Sequence, residues 1–315
     1  MPIETRRVLV LGATGAQGGS LARRLTQINR YSHAGAPYAV RALTRNALSP
    51  AAAALSANGV EVLEGTLDSP RDLRAALDGC DLIFGVTNYW EHGGGEVVHG
   101  LNLVDAVAAA GGPHLVLSSL PSARRISGEL IDVPHFETKA VVERHARERI
   151  ENLTVIHVAF YYENLLGWLG PRPRPNGTLA FGFPQGTTPL AAVSAEDVGA
   201  VVEALFQHPD RFRGATIGVV GDDLPPANYA AAMSRALGAP VVYEPVTRED
   251  FARSAIPGAA DLAAMFELNR RFILTRALDQ AVTRRLHPGA LSFADWAGIN
   301  EVRLRRALAP AMQAA

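Results

Sequence analysis

The sequence predicts an α/β fold, a Rossmann-type doubly wound parallel sheet followed by a smaller, mainly helical C-terminal domain. Three observations carry that prediction. Short aliphatic runs alternate with amphipathic segments at helical spacing up to residue 160, the pattern of strands joined by crossover helices. The first run breaks into glycines at G-x-x-G-x-x-G spacing. No internal repeat is present, and from Gly170 the strands shorten and helical patterns dominate.

Val8-Leu9-Val10-Leu11 is the first strand, and Gly12-Ala13-Thr14-Gly15-Ala16-Gln17-Gly18-Gly19 turns it into a helix. Gly12 takes a sharp turn that a side chain would block, Gly15 lets the backbone approach a bound group, and Gly18 lets the helix lie close to the sheet. Leu21, Leu25 and Ile28 then fall on one helical face. The first N–H groups of such a helix lack internal partners and lie at the positive end of its dipole, which makes a diphosphate site. A dinucleotide is therefore the expected ligand.

After a polar, glycine-containing loop from Asn29 to Pro37, Tyr38 to Thr44 reads as the second strand and ends at Arg45. NAD-binding proteins usually place a carboxylate here for the adenosine ribose, whereas a ribose phosphate needs a cation. Thr44-Arg45-Asn46 offers no carboxylate, which favours NADP(H); the alternative is a solvated loop charge. Val60 to Glu64 is a third strand, and Ser69-Pro70 opens a helix with serine as N-cap and proline in the first turn. Asp68, at the strand's carboxyl end, has two readings: a contact to the adenine amine, or a cap on that helix. A fourth strand, Asp81 to Thr87, delivers Thr87-Asn88-Tyr89-Trp90-Glu91 to the ligand-facing end of the sheet. Gly93-Gly94-Gly95 forms a hinge before an apolar helix from Glu96 to Ala110, which suits an oligomer interface or an internal layer equally.

His114 to Ser119 is the fifth strand and carries Ser118 and Ser119 into the same crevice. The polar loop after it is long for a connection, and long loops in compact domains are often functional. Pro134 opens a helix to about Ile150, on which His135 and Lys139, four apart, share a face. Leu153 to Phe160 is the sixth strand, with Glu163-Asn164 just beyond. Residues 1–160 thus read as the nucleotide-binding domain, with a returning strand near 214–220, and 161–315 as the smaller domain. Pro171 to Gly177 is expected as a stiff exposed connector, and Ser194-Ala195-Glu196-Asp197 as a capping box opening a helix to about Gln207. Further helices are expected near Asn228 to Leu237, Arg248 to Ala255, Ala259 to Arg271 and Phe293 to Leu308, with Phe266, Phe272, Phe293 and Trp296 in the core.

Composition narrows the partners. With 48% apolar and 19% charged residues and a formal net charge of −1, nothing favours nucleic acid or an acidic membrane surface. The single cysteine, Cys80, reads as a packed thiol in a reducing compartment. The N-terminus runs straight into the first strand, and no apolar run approaches the ~20 residues of a membrane span. A cytoplasmic protein without a metal site is expected.

The glycine motif, Thr44-Arg45-Asn46, Val86 to Glu91, Val133-Pro134-His135-Phe136 with Lys139, and Tyr162-Glu163-Asn164-Leu165-Leu166 together resemble the NmrA-like family of atypical short-chain dehydrogenases. Ser194 to Gly199 and Gly258 to Phe266 are similar to the family pattern as well, so the resemblance runs from about residue 6 to 300. It implies NADP(H) on a Rossmann domain, with Gly12, Thr14, Gly15, Ala16, Gln17 and Gly18 at the diphosphate and Arg45 at the ribose phosphate. It also implies Thr87 and Asn88 along the nicotinamide half and Lys139 on the nicotinamide ribose. Relatives often carry Gly-Asp where this chain has Gly65-Thr66, which leaves Asp68 as the substitute at the adenine.

Ordinary members of the superfamily use a tyrosine four residues before the lysine as proton donor; here that position is His135. An imidazole with an unperturbed pKa near ~6.5 can donate, so His135 with Lys139, helped by Ser118 or Ser119, forms one candidate acid system. Alternatively His135 packs at the helix entry and Lys139 only binds ribose, with Tyr161 or Tyr162 as other donors. The missing tyrosine favours a redox-sensing regulatory protein that engages a protein partner. The alternative is an NADPH-dependent reductase of a small carbonyl or quinone-like substrate.

Overall fold

The computed structural model describes residues 4–33, 35–272 and 279–312. Residues 1–3, where the N-terminal reading begins, lie outside them. The first elements are β1 (Arg6–Leu11), α1 (Ala16–Tyr31), β2 (Tyr38–Thr44), α2 (Pro50–Ala57), β3 (Glu61–Glu64), α3 (Pro70–Leu77), β4 (Leu82–Gly85), α4 (Tyr89–His92) and α5 (Glu96–Ala109). Then come β5 (His114–Ser119), α6 (Ala123–Ser127), α7 (Pro134–Arg149), β6 (Leu153–Val158), β7 (Phe160–Tyr161), β8 (Arg172–Pro173), β9 (Leu179–Phe181) and β10 (Leu190–Val193). After α8 (Ala195–Gln207), α9 (Pro209–Phe212), β11 (Thr216–Val219) and β12 (Asp222–Leu224), the chain ends in α10 (Pro226–Leu237), β13 (Val241–Tyr243), α11 (Arg248–Ala252), α12 (Ala259–Phe272), α13 (Gln280–Leu286), α14 (Phe293–Ile299) and α15 (Glu301–Met312).

Seven strands form one sheet in the order β11-β6-β5-β4-β1-β2-β3, the doubly wound arrangement expected. The order reverses between β1 and β4, and β1 pairs in parallel with both β2 and β4. Strands β1, β4 and β5 are almost wholly buried because helices cover both faces, which is why they read as unbroken aliphatic runs. Leu9, Leu11, Ile83, Leu115 and Leu117 pack with Leu103, Val104 and Val107 of α5 and with Val142 of α7. Helix starts follow their local chemistry: Ser49 and Ser69 accept from the N–H groups of Ala52 and Asp72, each with proline in the first turn.

The chain divides into two compact units. The first gathers the chain up to Pro121, His135–Val158 and Ala195–Ile217; the second holds Ser122–Pro134, Ala159–Ser194 and the chain from Gly218 onward. Helix α8, which the sequence reading gave to the smaller domain, therefore belongs to the first unit, packed along α1. Close approach makes this possible: a Cβ at Gly199 would stand 2.5 Å from the Ser20 backbone, and the Gly199 N–H donates to Ser20 Oγ at 2.9 Å.

Other expectations give way to local detail. Helix α1 runs to Tyr31, and Asn29 bonds both main-chain groups of Tyr38. The loop after Ser119 contains α6, capped by Ser122. Pro171 to Gly177 is no stiff connector. Strands β8 and β9 pair antiparallel there, the turn closing from Arg174 N–H to Thr178 C=O with Gly177 at φ +80°. The long final helix breaks at Asn300, whose side chain donates to Trp296 C=O. In the second unit Phe266, Phe293 and Trp296 are core as expected, while Phe272 is half-buried. Two three-stranded sheets, β12-β10-β7 and β13-β9-β8, also belong to this unit.

Candidate nucleotide and active site

The glycine turn sits at the carboxyl end of β1, beside the point where the strand order reverses, the usual ligand crevice of an open α/β sheet. Gly12 has φ +62°, and a Cβ on Gly18 would stand 2.5 Å from the carbonyl group of Gly12, so both positions need glycine. Gly15 N–H donates to Gly12 C=O at 2.9 Å, and the first helical bond runs from Gly19 N–H to Gly15 C=O at 3.0 Å. The main-chain donors of Ala16, Gln17 and Gly18 precede that bond. Gly12, Thr14, Gly15 and Ala16 are exposed, and Gln17 is half-buried. A bare-backbone cradle at the start of a sixteen-residue helix fits a diphosphate.

Arg45, at the end of β2, is exposed and donates from Nη1 to Glu91 Oε1 at 2.6 Å. Asn88 Nδ2 reaches the other oxygen, Glu91 Oε2, at 3.3 Å. Glu91 thus joins two residues the sequence reading assigned to opposite halves of a dinucleotide, and Arg45 holds its carboxyl below the usual range. Asp68 does not cap α3; Ser69 does. Instead Asp68 Oδ1 meets His99 Nε2 at 2.9 Å and its Oδ2 accepts from Thr66 Oγ1 at 3.1 Å.

A buried polar cluster of the first unit surrounds Lys139. Its Nζ lies 2.5 Å from Glu96 Oε1 and 3.0 Å from the Thr87 carbonyl oxygen. Thr87 Oγ1 donates to Glu96 Oε1 at 2.6 Å and Thr138 Oγ1 to Glu96 Oε2 at 2.6 Å. Glu96 has no solvent exposure and the Lys139 side chain 14%. Burying a carboxylate costs several kcal/mol, and here one ammonium and two hydroxyls offset that loss. Sequence reasoning missed Glu96. Its only local signal, an acidic residue in the first turn of α5, reads as an ordinary partner for a helix dipole.

His135, four residues before Lys139 on α7, is buried. Its ring meets Trp90, Tyr89 and Phe136 at centroid distances of 5.0, 5.9 and 4.8 Å. Ser119, offered as an auxiliary acid, instead donates to the Lys139 carbonyl at 3.2 Å and ties α7 to β5. Tyr162 is wholly buried against Phe293 and Trp296 in the second unit, with its hydroxyl toward Leu291 C=O at 3.4 Å. Cys80 is packed as expected, and burial pushes its thiol up. Among the described residues no cluster suits a metal ion, and no helix is long and apolar enough to cross a membrane.

The model of the NmrA-like family matches residues 4–296. A Cladobotryum protein named NmrA-like family domain-containing oxidoreductase FrzB is 32% identical over 284 residues, 82% of each chain. Among solved structures, the negative transcriptional regulator NmrA in complex with NAD superposes with a TM-score of 0.79 at 25% identity, covering 93% of this chain and 94% of that one. The same regulator in complex with NADP gives 0.77 at 24% identity, with the same coverage, a likeness of fold. The chain belongs to the NmrA-like family.

Proposed function

We propose that this protein is an NADP(H)-dependent oxidoreductase that reduces a small carbonyl or quinone-like substrate. The observation that carries the reading is the glycine cradle at the β1–α1 turn, in a chain that shares 32% identity with a relative named as an oxidoreductase. Residues 12–18 would hold the diphosphate through main-chain N–H groups. Arg45, exchanging Glu91 for a phosphate, would take the ribose 2′-phosphate, and Asp68 would lie toward the adenine. Thr87, Asn88 and Lys139 would line the nicotinamide half. When bound, the nicotinamide ring supplies hydride. His135, ringed by Tyr89 and Trp90, would then give the proton that completes the alcohol.

Two measurements test this. Fluorescence titration should show micromolar NADPH binding that weakens when Gly15 carries a bulky side chain. NADPH consumption across a carbonyl and quinone panel should then fall in His135→Ala and Lys139→Ala. A protein that binds NADPH yet stays inactive across the panel would favour the second reading, a redox sensor acting through a protein partner. That reading draws on the likeness to the regulator NmrA and on histidine standing where the usual tyrosine would be.

A further inference from the structure

Glu96 lies on a different element from every residue assigned a cofactor role above, and it has no solvent exposure. An ammonium at 2.5 Å, two hydroxyls at 2.6 Å and complete burial describe a rigid anchor rather than an acid awaiting substrate. Lys139 has three N–H donors. One is taken by Glu96 and one by the Thr87 carbonyl, and Thr87 Oγ1 at 3.4 Å is too distant to hold the third firmly.

We propose that Glu96 is a positioning residue: its carboxylate fixes the Lys139 ammonium in a charge-neutral pair so that the third N–H faces a cofactor hydroxyl. The inference rests on the reading that Lys139 meets the nicotinamide ribose. Neutralising the ammonium has a chemical consequence. A lysine with a carboxylate at contact distance exerts little net field on a neighbouring acid, so Lys139 holds ribose rather than activating His135. The two threonines enforce the geometry. Thr87 bridges the end of β4 to α5, and Thr138 precedes Lys139 on α7, so three elements meet on one carboxylate.

The test is a double-variant cycle read by NADPH dissociation constant and by thermal unfolding. Lys139→Met should weaken NADPH roughly 10- to 100-fold, the value of a hydrogen bond from a charged donor. Glu96→Gln, which keeps the shape but removes the charge, should weaken NADPH by roughly tenfold and raise KM for NADPH more than it lowers kcat. Combining them should bring thermal stability back above that of Glu96→Gln, because both buried charges are gone, and should bind NADPH no worse than Lys139→Met alone. That non-additivity is the signature of action through the lysine. Additive losses, or Glu96→Gln binding NADPH like wild type while Lys139→Met does not, would overturn the proposal. Should Glu96→Gln fail to fold, Glu96→Asp, which keeps the charge but draws it back from the lysine, is read in both backgrounds by NADPH affinity alone, with the same non-additivity expected. Failure of wild type to bind NADPH would instead overturn the functional reading beneath it.

Discussion

Two buried ionisable groups at opposite ends of the parallel sheet are held in opposite ways. At the carboxyl end, Glu96 is fully buried and remains paired with a cation and two hydroxyls. At the amino end, His114 opens β5 and is also buried, but as a neutral ring. Thr154 Oγ1 spends its proton on Phe212 C=O at 2.8 Å, so it accepts from His114 Nε2–H at 2.9 Å. His114 Nδ1 is left buried with no hydrogen-bond partner, and burial, aided by the charge of Arg213, pushes its pKa down to about 4. Burial strips charge where nothing answers it and retains charge where a counter-ion is supplied. The difference lies in the partners: Glu96 has a counter-ion and two hydroxyls, and His114 a single hydroxyl.

The largest expected effect removes the charged group. Glu96→Ala leaves Lys139 buried without its counter-ion and should lower unfolding free energy by about 3–5 kcal/mol in denaturant titration. Next comes the neutral ring, probed by acid. Unfolded His114 takes a proton near pH 6.5, whereas the folded ring resists until about pH 4, so its contribution is complete above 6.5 and drains away as pH falls to 4. The loss should be about 3 kcal/mol, and His114→Gln should flatten that part of the stability profile. Thr154→Val removes the acceptor for the ring N–H and should cost about 1–3 kcal/mol, measured the same way at neutral pH. The smallest effect comes from a pair at the surface, which sharpens the contrast by showing what charge is worth when water screens it. Glu91→Gln, which breaks the exposed pair with Arg45, should change stability by less than about 1 kcal/mol. It should nonetheless tighten NADPH by a few-fold in titration, because a competitor for Arg45 is gone.

Much of the first unit was legible because its signals are local. The glycine spacing, the serine cap before Pro70, and the alternation of strand and helix each depend on neighbouring residues. What was not legible depends on distance. Glu96 meets its lysine 43 positions away, and no periodicity announces that pairing. Helix α8 joins α1 only because Gly199 allows backbone to touch backbone. The β8–β9 hairpin is a different failure. Asn176-Gly177 is a turn dipeptide, and Asn176 Oδ1 does accept from both Thr178 N–H and its hydroxyl, but the prolines around it drew the reading toward a spacer. Asp68 was weighed against the adenine amine and the helix after it, and its contact with His99 on α5 lay beyond both.

The first unit is assembled from three separate stretches of chain, the last ending at Ile217. During synthesis its opening βα repeats must therefore wait, with the α1 flank that α8 will cover still bare, until residue 217 has left the ribosome. A fragment ending at residue 160 should aggregate or recruit chaperones rather than serve as a minimal nucleotide-binding module, and a stable truncation has to include the stretch through residue 217.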